Sequence, residues 1–175
     1  MTNEKIIKQG LFLGFCLVFT LFSTLLRAED VPPAFRSTEF PLPRFVSLGS
    51  GEVHVRTGPG MGYPIKWVFH KRNLPVEIVL EYETWRKIKD SEGQVGWVHS
   101  SLLSGRRTGL IRAEGMVPVR RKPKEDARLN AYIEAGAIVA LDSCKESWCH
   151  AAAQGYEGWV ERKFIWGVYE NENFD

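Results

Sequence analysis

The sequence predicts an all-β fold in which one small module is used twice, behind an N-terminal hydrophobic segment. Three observations carry that expectation. Val53, Val55, Arg56 and Pro59 of "VHVRTGPGMGYP" recur at an offset of 64 residues as Val117, Val119, Arg120 and Pro123 of "VPVRRKPKEDAR". Stretches such as "EVHVR" alternate apolar and polar residues with the period of a strand. No segment beyond the leader sustains a 3.6-residue pattern of useful length.

The first 28 residues stand apart. Lys5 and Lys8 precede the apolar run Gly10 to Leu26, and Ala28 offers a small residue at a cleavage point. That is the layout of a secretory signal peptide. Leu26 is bulky for the minus-three position, and 17 apolar residues are close to the minimum for crossing a bilayer, so an uncleaved membrane anchor is the alternative. Cys16 sits inside the run as apolar filling. A proline-rich linker follows over 29–43, expected to be an extended polyproline spacer or a segment that docks on the chain's own fold.

Charge excludes some partners. Of 23 basic and 21 acidic residues, the leader holds Lys5, Lys8, Arg27 and Glu4, which leaves 20 of each beyond it. Such a balance gives no global field toward nucleic acid or an anionic membrane. Membrane contact is expected only through the N-terminal segment. A local basic excess runs from Arg106 to Arg128, with solvated turns as its simplest reading.

The repeat continues along the chain. Val76, Glu83 and Trp85 match Val139, Glu146 and Trp148 at an offset of 63, and "GWV" at 96–98 matches "GWV" at 158–160 at an offset of 62. Each single-residue contraction falls in a stretch that reads as a loop. Two copies are therefore placed at 44–107 and 108–170, with a tail at 171–175. Each copy reads as five or six short strands with a long loop after the first, which suits a small closed barrel. The loops differ: Gly58, Gly60 and Gly62 allow positive φ and a tight reversal around Pro59, whereas Arg121, Lys122 and Lys124 around Pro123 predict a more open, charged loop.

The pattern V-x-V-R-x-x-P, then W, then G-W-V resembles the bacterial Src-homology-3-like domain family. The resemblance rests on "VHVRTGPGMGYP" and "ETWRKIKDSEGQVGWVHSSLL", with "VPVRRKPKEDAR" and "ESWCHAAAQGYEGWVERKFI" as their partners. It implies two tandem barrels and a non-catalytic binding role, directed at cell-wall peptide or at proteins of the cell envelope. With the leader, it places the protein in the periplasm or outside the cell, or anchored in the inner membrane facing the periplasm.

The residues themselves give little support to catalysis. "TGPGMGYPIK" lacks the Gly-Lys-Ser/Thr triplet and the following helix that a phosphate cradle needs. Cys144 and Cys149 match Glu81 and Arg86 across a hairpin, close enough to bridge, so a disulfide is favoured. Covalent haem calls for two intervening residues rather than four, a redox dithiol for Cys-x-x-Cys, and zinc for further ligands from His54, His70, His99 or His150. No cofactor, metal or catalytic residue is expected.

Binding is the class that is left. Trp97 and Trp159 belong to the core. Tyr63, Trp67, Tyr82 and Trp85 lie at or near loops, where an exposed ring stacks on a peptide or sugar, and with Arg56 they form the expected contact set. The competing role for Arg56 and Arg120 is to brace their own loops through backbone carbonyls.

Overall fold

The computed structural model describes residues 37–175. The leader at 1–28 and the linker as far as residue 36 lie outside the described residues. What is described is built from strands joined by turns and two short 3-10 turns, Ser100–Leu102 and Arg162–Phe164.

The first barrel runs β1 (Arg44–Leu48), β2 (Val53–Arg56), β3 (Ile65–Phe69), β4 (Pro75–Tyr82), β5 (Trp85–Lys89), β6 (Val95–His99) and β7 (Leu103–Ser104). The second runs β8 (Thr108–Ile111), β9 (Met116–Arg120), β10 (Leu129–Glu134), β11 (Ile138–Lys145), β12 (Trp148–Ala153), β13 (Tyr156–Glu161) and β14 (Ile165–Trp166). The hydrogen-bonded orders are β3-β2-β6-β5-β4-β1-β7 and β10-β9-β13-β12-β11-β8-β14. Adding seven to each strand number turns one into the other, so the duplicated sequence is a duplicated topology. Each ladder is linear, so each barrel is a rolled, partly open sheet where the strand count alone suggests a closed one.

The roll is driven by burial of the alternating face. Val53, Val55, Val76, Ile78 and Val98 fill the first core, and Val117, Val119, Val139, Leu141 and Val160 take the same places in the second. Each such side chain contributes about 1.5–3 kcal/mol when fully removed from water. The glycine of each "GWV" allows the sheet to fold over itself. A Cβ at Gly96 would run into the Val55 side chain, and one at Gly158 would lie 2.6 Å from the Arg120 carbonyl oxygen. Those close approaches let Trp97 pair with Arg56 and Trp159 with Arg120. Trp97 is buried, as expected of core, and Trp159 is half-buried.

The two barrels sit within one compact unit. Phe45 packs against Trp166 and Tyr169 with ring centroids 5.1 and 4.7 Å apart. Tyr169 Oη donates to Glu77 Oε1 at 2.8 Å, and Thr108 Oγ1 donates to the Asn73 carbonyl at 2.9 Å. Burial, followed by the Glu77 carboxylate, pushes the Tyr169 hydroxyl above its usual range, so it remains a neutral donor.

The two hairpins β4–β5 and β11–β12 close alike and are stapled differently. Each turns through two residues, with Glu83 and Glu146 at φ of 48° and 50°. In the second barrel Cys144 and Cys149 face each other in register and are bonded, as expected. In the first, the same pair of positions holds Glu81 opposite Arg86, with Arg86 Nε 3.2 Å from Glu81 Oε1.

Glu81 has no exposed surface, and Arg44 Nη2 also reaches its carboxylate, at 2.5 Å. Burial raises its pKa. The hydrogen bonds from Arg44 and Thr38 and the charges of Arg44 and Arg86 outweigh burial and leave it below the usual carboxylate value.

A further segment of the chain docks beside each staple. The amides of Ser37 and Thr38 donate to Glu81 Oε2 at 2.9 and 2.8 Å, so the last part of the proline-rich stretch docks on the barrel. The spacer reading therefore does not hold for residues 37 and 38: a buried carboxylate needs donors, and this segment supplies them. In the second barrel Cys144 exchanges backbone hydrogen bonds with Phe174, at 2.8 and 3.1 Å.

Candidate functional site

The loop after β2 and its counterpart after β9 form one wall of a groove in each barrel. Both loops follow the same hydrogen-bonded path. Thr57 N–H donates to the Pro64 carbonyl as Arg121 N–H does to Arg128. Gly60 donates to Gly58 as Lys124 does to Lys122, and Tyr63 donates to Gly60 as Ala127 does to Lys124. Arg56 Nη1 donates to the Tyr63 carbonyl at 2.7 Å, and Arg120 Nη1 to the Ala127 carbonyl at 2.9 Å. Each arginine is a brace for its own loop.

Two expectations about these loops are overturned. Gly58, Gly60 and Gly62 do not occupy the positive-φ region. Instead, the Tyr63 ring lies over the backbone of Gly58 and Gly60, and a Cβ at Gly58 would penetrate the ring. Here glycine serves close approach rather than a left-handed turn. The charged loop is likewise no more open than the glycine-rich one, because the arginine brace and the backbone bonds that set the path require no glycine. Its side chains do point to solvent, 121–126 being exposed.

Opposite the loop, the start of β5 and the end of β6 complete the groove of the first barrel. It has a volume of about 210 Å³ and is lined by Glu52, His54, Arg56, Met61, Trp85, His99 and Leu102. Met61 stands 73% exposed at the rim, while Trp85 is only 7% exposed and packs edge-on against His99 at 5.4 Å between centroids. The His99 ring is oriented by Ser101, whose hydroxyl lies 2.7 Å from Nδ1. The surface combines an apolar thioether, aromatic edges, imidazole nitrogens and one charge of each sign, from Glu52 and Arg56, a mixture that suits an extended peptide or sugar.

The second barrel has an equivalent and larger groove of about 580 Å³. Glu125, Trp148 and Glu161 occupy the positions of Met61, Trp85 and His99. Val168 and Glu170, from the segment after β14, add a further wall.

Of the expected contact set, the structure brings Arg56 and Trp85 together in the first groove. Arg56 lines the groove while its Nη1 is engaged with its own loop. Tyr63 is in the loop, 48% exposed, and its ring is committed to the glycines. Trp67 is half-buried on β3 beside Phe69, with centroids 5.8 Å apart. Tyr82 faces Trp85 across the hairpin and is 39% exposed, yet it lies off the groove. His54, Met61, His99 and Leu102 escape sequence reasoning. The repeat offset is the signal that relates Met61 and His99 to Glu125 and Glu161 once one groove is known. No group of three or more His, Cys, Asp or Glu side chains is arranged to hold a metal among the described residues.

Comparison with known proteins gives a family match and distant likenesses to solved structures. No curated protein matches the chain. Among solved structures, NlpC2 from Trichomonas vaginalis is similar at 12% identity and a TM-score of 0.33, over 73% of this chain and 49% of that one. NlpC1 from the same organism is similar at 12% identity and a TM-score of 0.33, over 78% and 50%. The chain thus spans about half the length of these structures. The family model described as the bacterial SH3 domain matches twice, over residues 49–105 and 113–167. With more than half of its residues matched in two tandem copies, the chain belongs to the bacterial SH3 domain family.

Proposed function

We propose that this protein is a non-catalytic binding protein of the cell envelope that recognises peptidoglycan or its peptide through the first barrel. The observation that carries the reading is the groove beside Trp85, where Met61, His54 and His99 surround a deep-set indole, with Glu52 beside His54 and Arg56 bonded to its own loop. Family membership supports a binding role, and the leader composition supports export to the periplasm or beyond, or an inner-membrane anchor. The test is sedimentation of the protein with purified sacculi. Met61→Glu, on a residue 73% exposed, should abolish co-sedimentation with the fold intact. Wild-type protein left in the supernatant at low salt refutes the proposal.

A second reading is a periplasmic adaptor that binds peptide segments of envelope proteins. One observation favours it. Met116, Tyr132 and Tyr156, each more than half exposed, line a single depression on the second barrel. Retention of a protein partner without sacculus binding would select it.

A further inference from the structure

We propose that His99 sets what the first groove selects: its ring stands as an oriented Nε2–H donor for an uncharged amide carbonyl of the ligand. This rests on the reading of that groove as the recognition site and names the ligand group it takes.

The tautomer follows from the turn beneath the ring. The backbone N–H of Ser101 donates to His99 Nδ1 at 3.3 Å, and the Ser101 hydroxyl lies 2.7 Å from the same nitrogen. A backbone N–H can only donate, so Nδ1 is an acceptor and carries no proton. The hydroxyl then donates to it as well. A neutral ring therefore holds its one proton at Nε2. Flipping the ring would forfeit the cap of the 3-10 turn Ser100–Leu102. A second contact sets the ring plane: His99 is the cross-strand neighbour of Trp85, and the two rings meet at 87°.

Nε2 of His99 has no hydrogen-bond partner among the described residues, and it is not a sealed, unsatisfied atom. It is a wetted donor on a residue that lines the groove. Other polar groups there are already engaged. His54 Nε2 lies 3.1 Å from Glu52 Oε1, and Arg56 Nη1 donates to its own loop.

The surroundings favour a neutral acceptor. A ligand carboxylate would meet Glu52 and would favour the doubly protonated ring, which cannot accept from Ser101. An amide carbonyl does neither, and leaves Met61 and Trp85 to the apolar atoms beside it. Peptide bonds and the acetamido groups of amino sugars both present such an oxygen. The donor is particular to the first copy. Glu161, at the position of His99, precedes its own 3-10 turn without a side-chain cap bond and, when ionised, can only accept.

The test is heteronuclear NMR of the imidazole rings on the full chain in detergent, at about pH 8, where imidazoles are ordinarily neutral. His99 should appear as the Nε2–H tautomer. The probes are acetyl-Ala-Ala-Ala-amide and the trimer of N-acetylglucosamine. One or both should move the His99 Nε2 signal, and the tighter of the two identifies the source of the carbonyl. Two variants separate the donor from the cap. His99→Asn offers its amide where Nδ1 stood; it should keep the thermal midpoint and weaken probe binding about fivefold. His99→Gln reaches the place of Nε2 without capping; it should lower the midpoint and retain binding. An Nδ1–H tautomer, no movement of His99 with either probe, or unweakened binding by His99→Asn overturns the inference. If sacculi then still bind the protein in a Met61-dependent way, the first proposal stands alone. If the peptide moves His99 while sacculi leave the protein in the supernatant, only the cell-wall reading falls.

Discussion

The two hairpins, β4–β5 and β11–β12, solve one structural problem by opposite chemistry. Both carry a cross-strand pair beside a two-residue turn, and both tie the two strands together through it. The second barrel does so with the Cys144–Cys149 bond, a covalent staple without charge. The first does so with the Glu81 carboxylate, held by Arg44, Arg86, Thr38 and the Ser37 amide. A disulfide acts mainly by restricting the unfolded chain. A buried carboxylate acts only while every donor is in place, since its desolvation is offset by those bonds alone. The difference teaches that equivalent positions in a duplicated fold are constrained in geometry and free in chemistry.

The largest expected effect breaks the charged staple. Glu81→Ala leaves two guanidinium groups and the docked segment without their acceptor, and should cost about 3–5 kcal/mol, read as a lower urea midpoint. Breaking the covalent staple with Cys144→Ala and Cys149→Ala should cost about 2 kcal/mol by the chain-entropy estimate for so short a loop. The amide of Phe174 should then exchange faster with solvent, while that of Thr38 should not change.

Acid sharpens the contrast. Glu81 has its pKa lowered in the folded state, so its stabilisation is complete above the unfolded value of 4.5 and is lost as pH falls through the lower folded one. Thermal midpoints should therefore fall more steeply below about pH 4.5 in wild type than in Glu81→Gln, which has nothing left to titrate there. Equal slopes would remove Glu81 as the source.

The loops differ in what a side chain at one position costs. Gly58→Ala must displace the Tyr63 ring and should cost about 1–3 kcal/mol. At the equivalent position, Lys122→Gly should change stability by no more than about 1 kcal/mol, because a side chain is already accommodated there. Equal costs at the two sites would mean that the loops differ in path, contrary to their shared hydrogen bonds.

Some of this could be read in advance because it is local. Val53 and Val55 alternate, Cys144 and Cys149 straddle a turn, and the offsets of 64, 63 and 62 align two copies. The groove was half legible. Trp85 and Arg56 stood out as an aromatic and a cation near loops, but Met61 and His99 carry no pattern of their own. Tyr63 and Trp67 looked equally suitable as contacts, but the Tyr63 ring covers the glycines of its own loop and Trp67 packs against the first core.

By itself the sequence determined the strand periods, the duplication and the hairpin pairing, because each depends on neighbours within a few residues or on repetition. Tertiary structure decided which side chains meet. Glu81 finds Arg44 and Thr38, 37 and 43 residues away. The second groove gains its far wall from residues beyond the last strand. Such encounters depend on how far each sheet rolls and where the flanking segments come to rest, and no local periodicity encodes them.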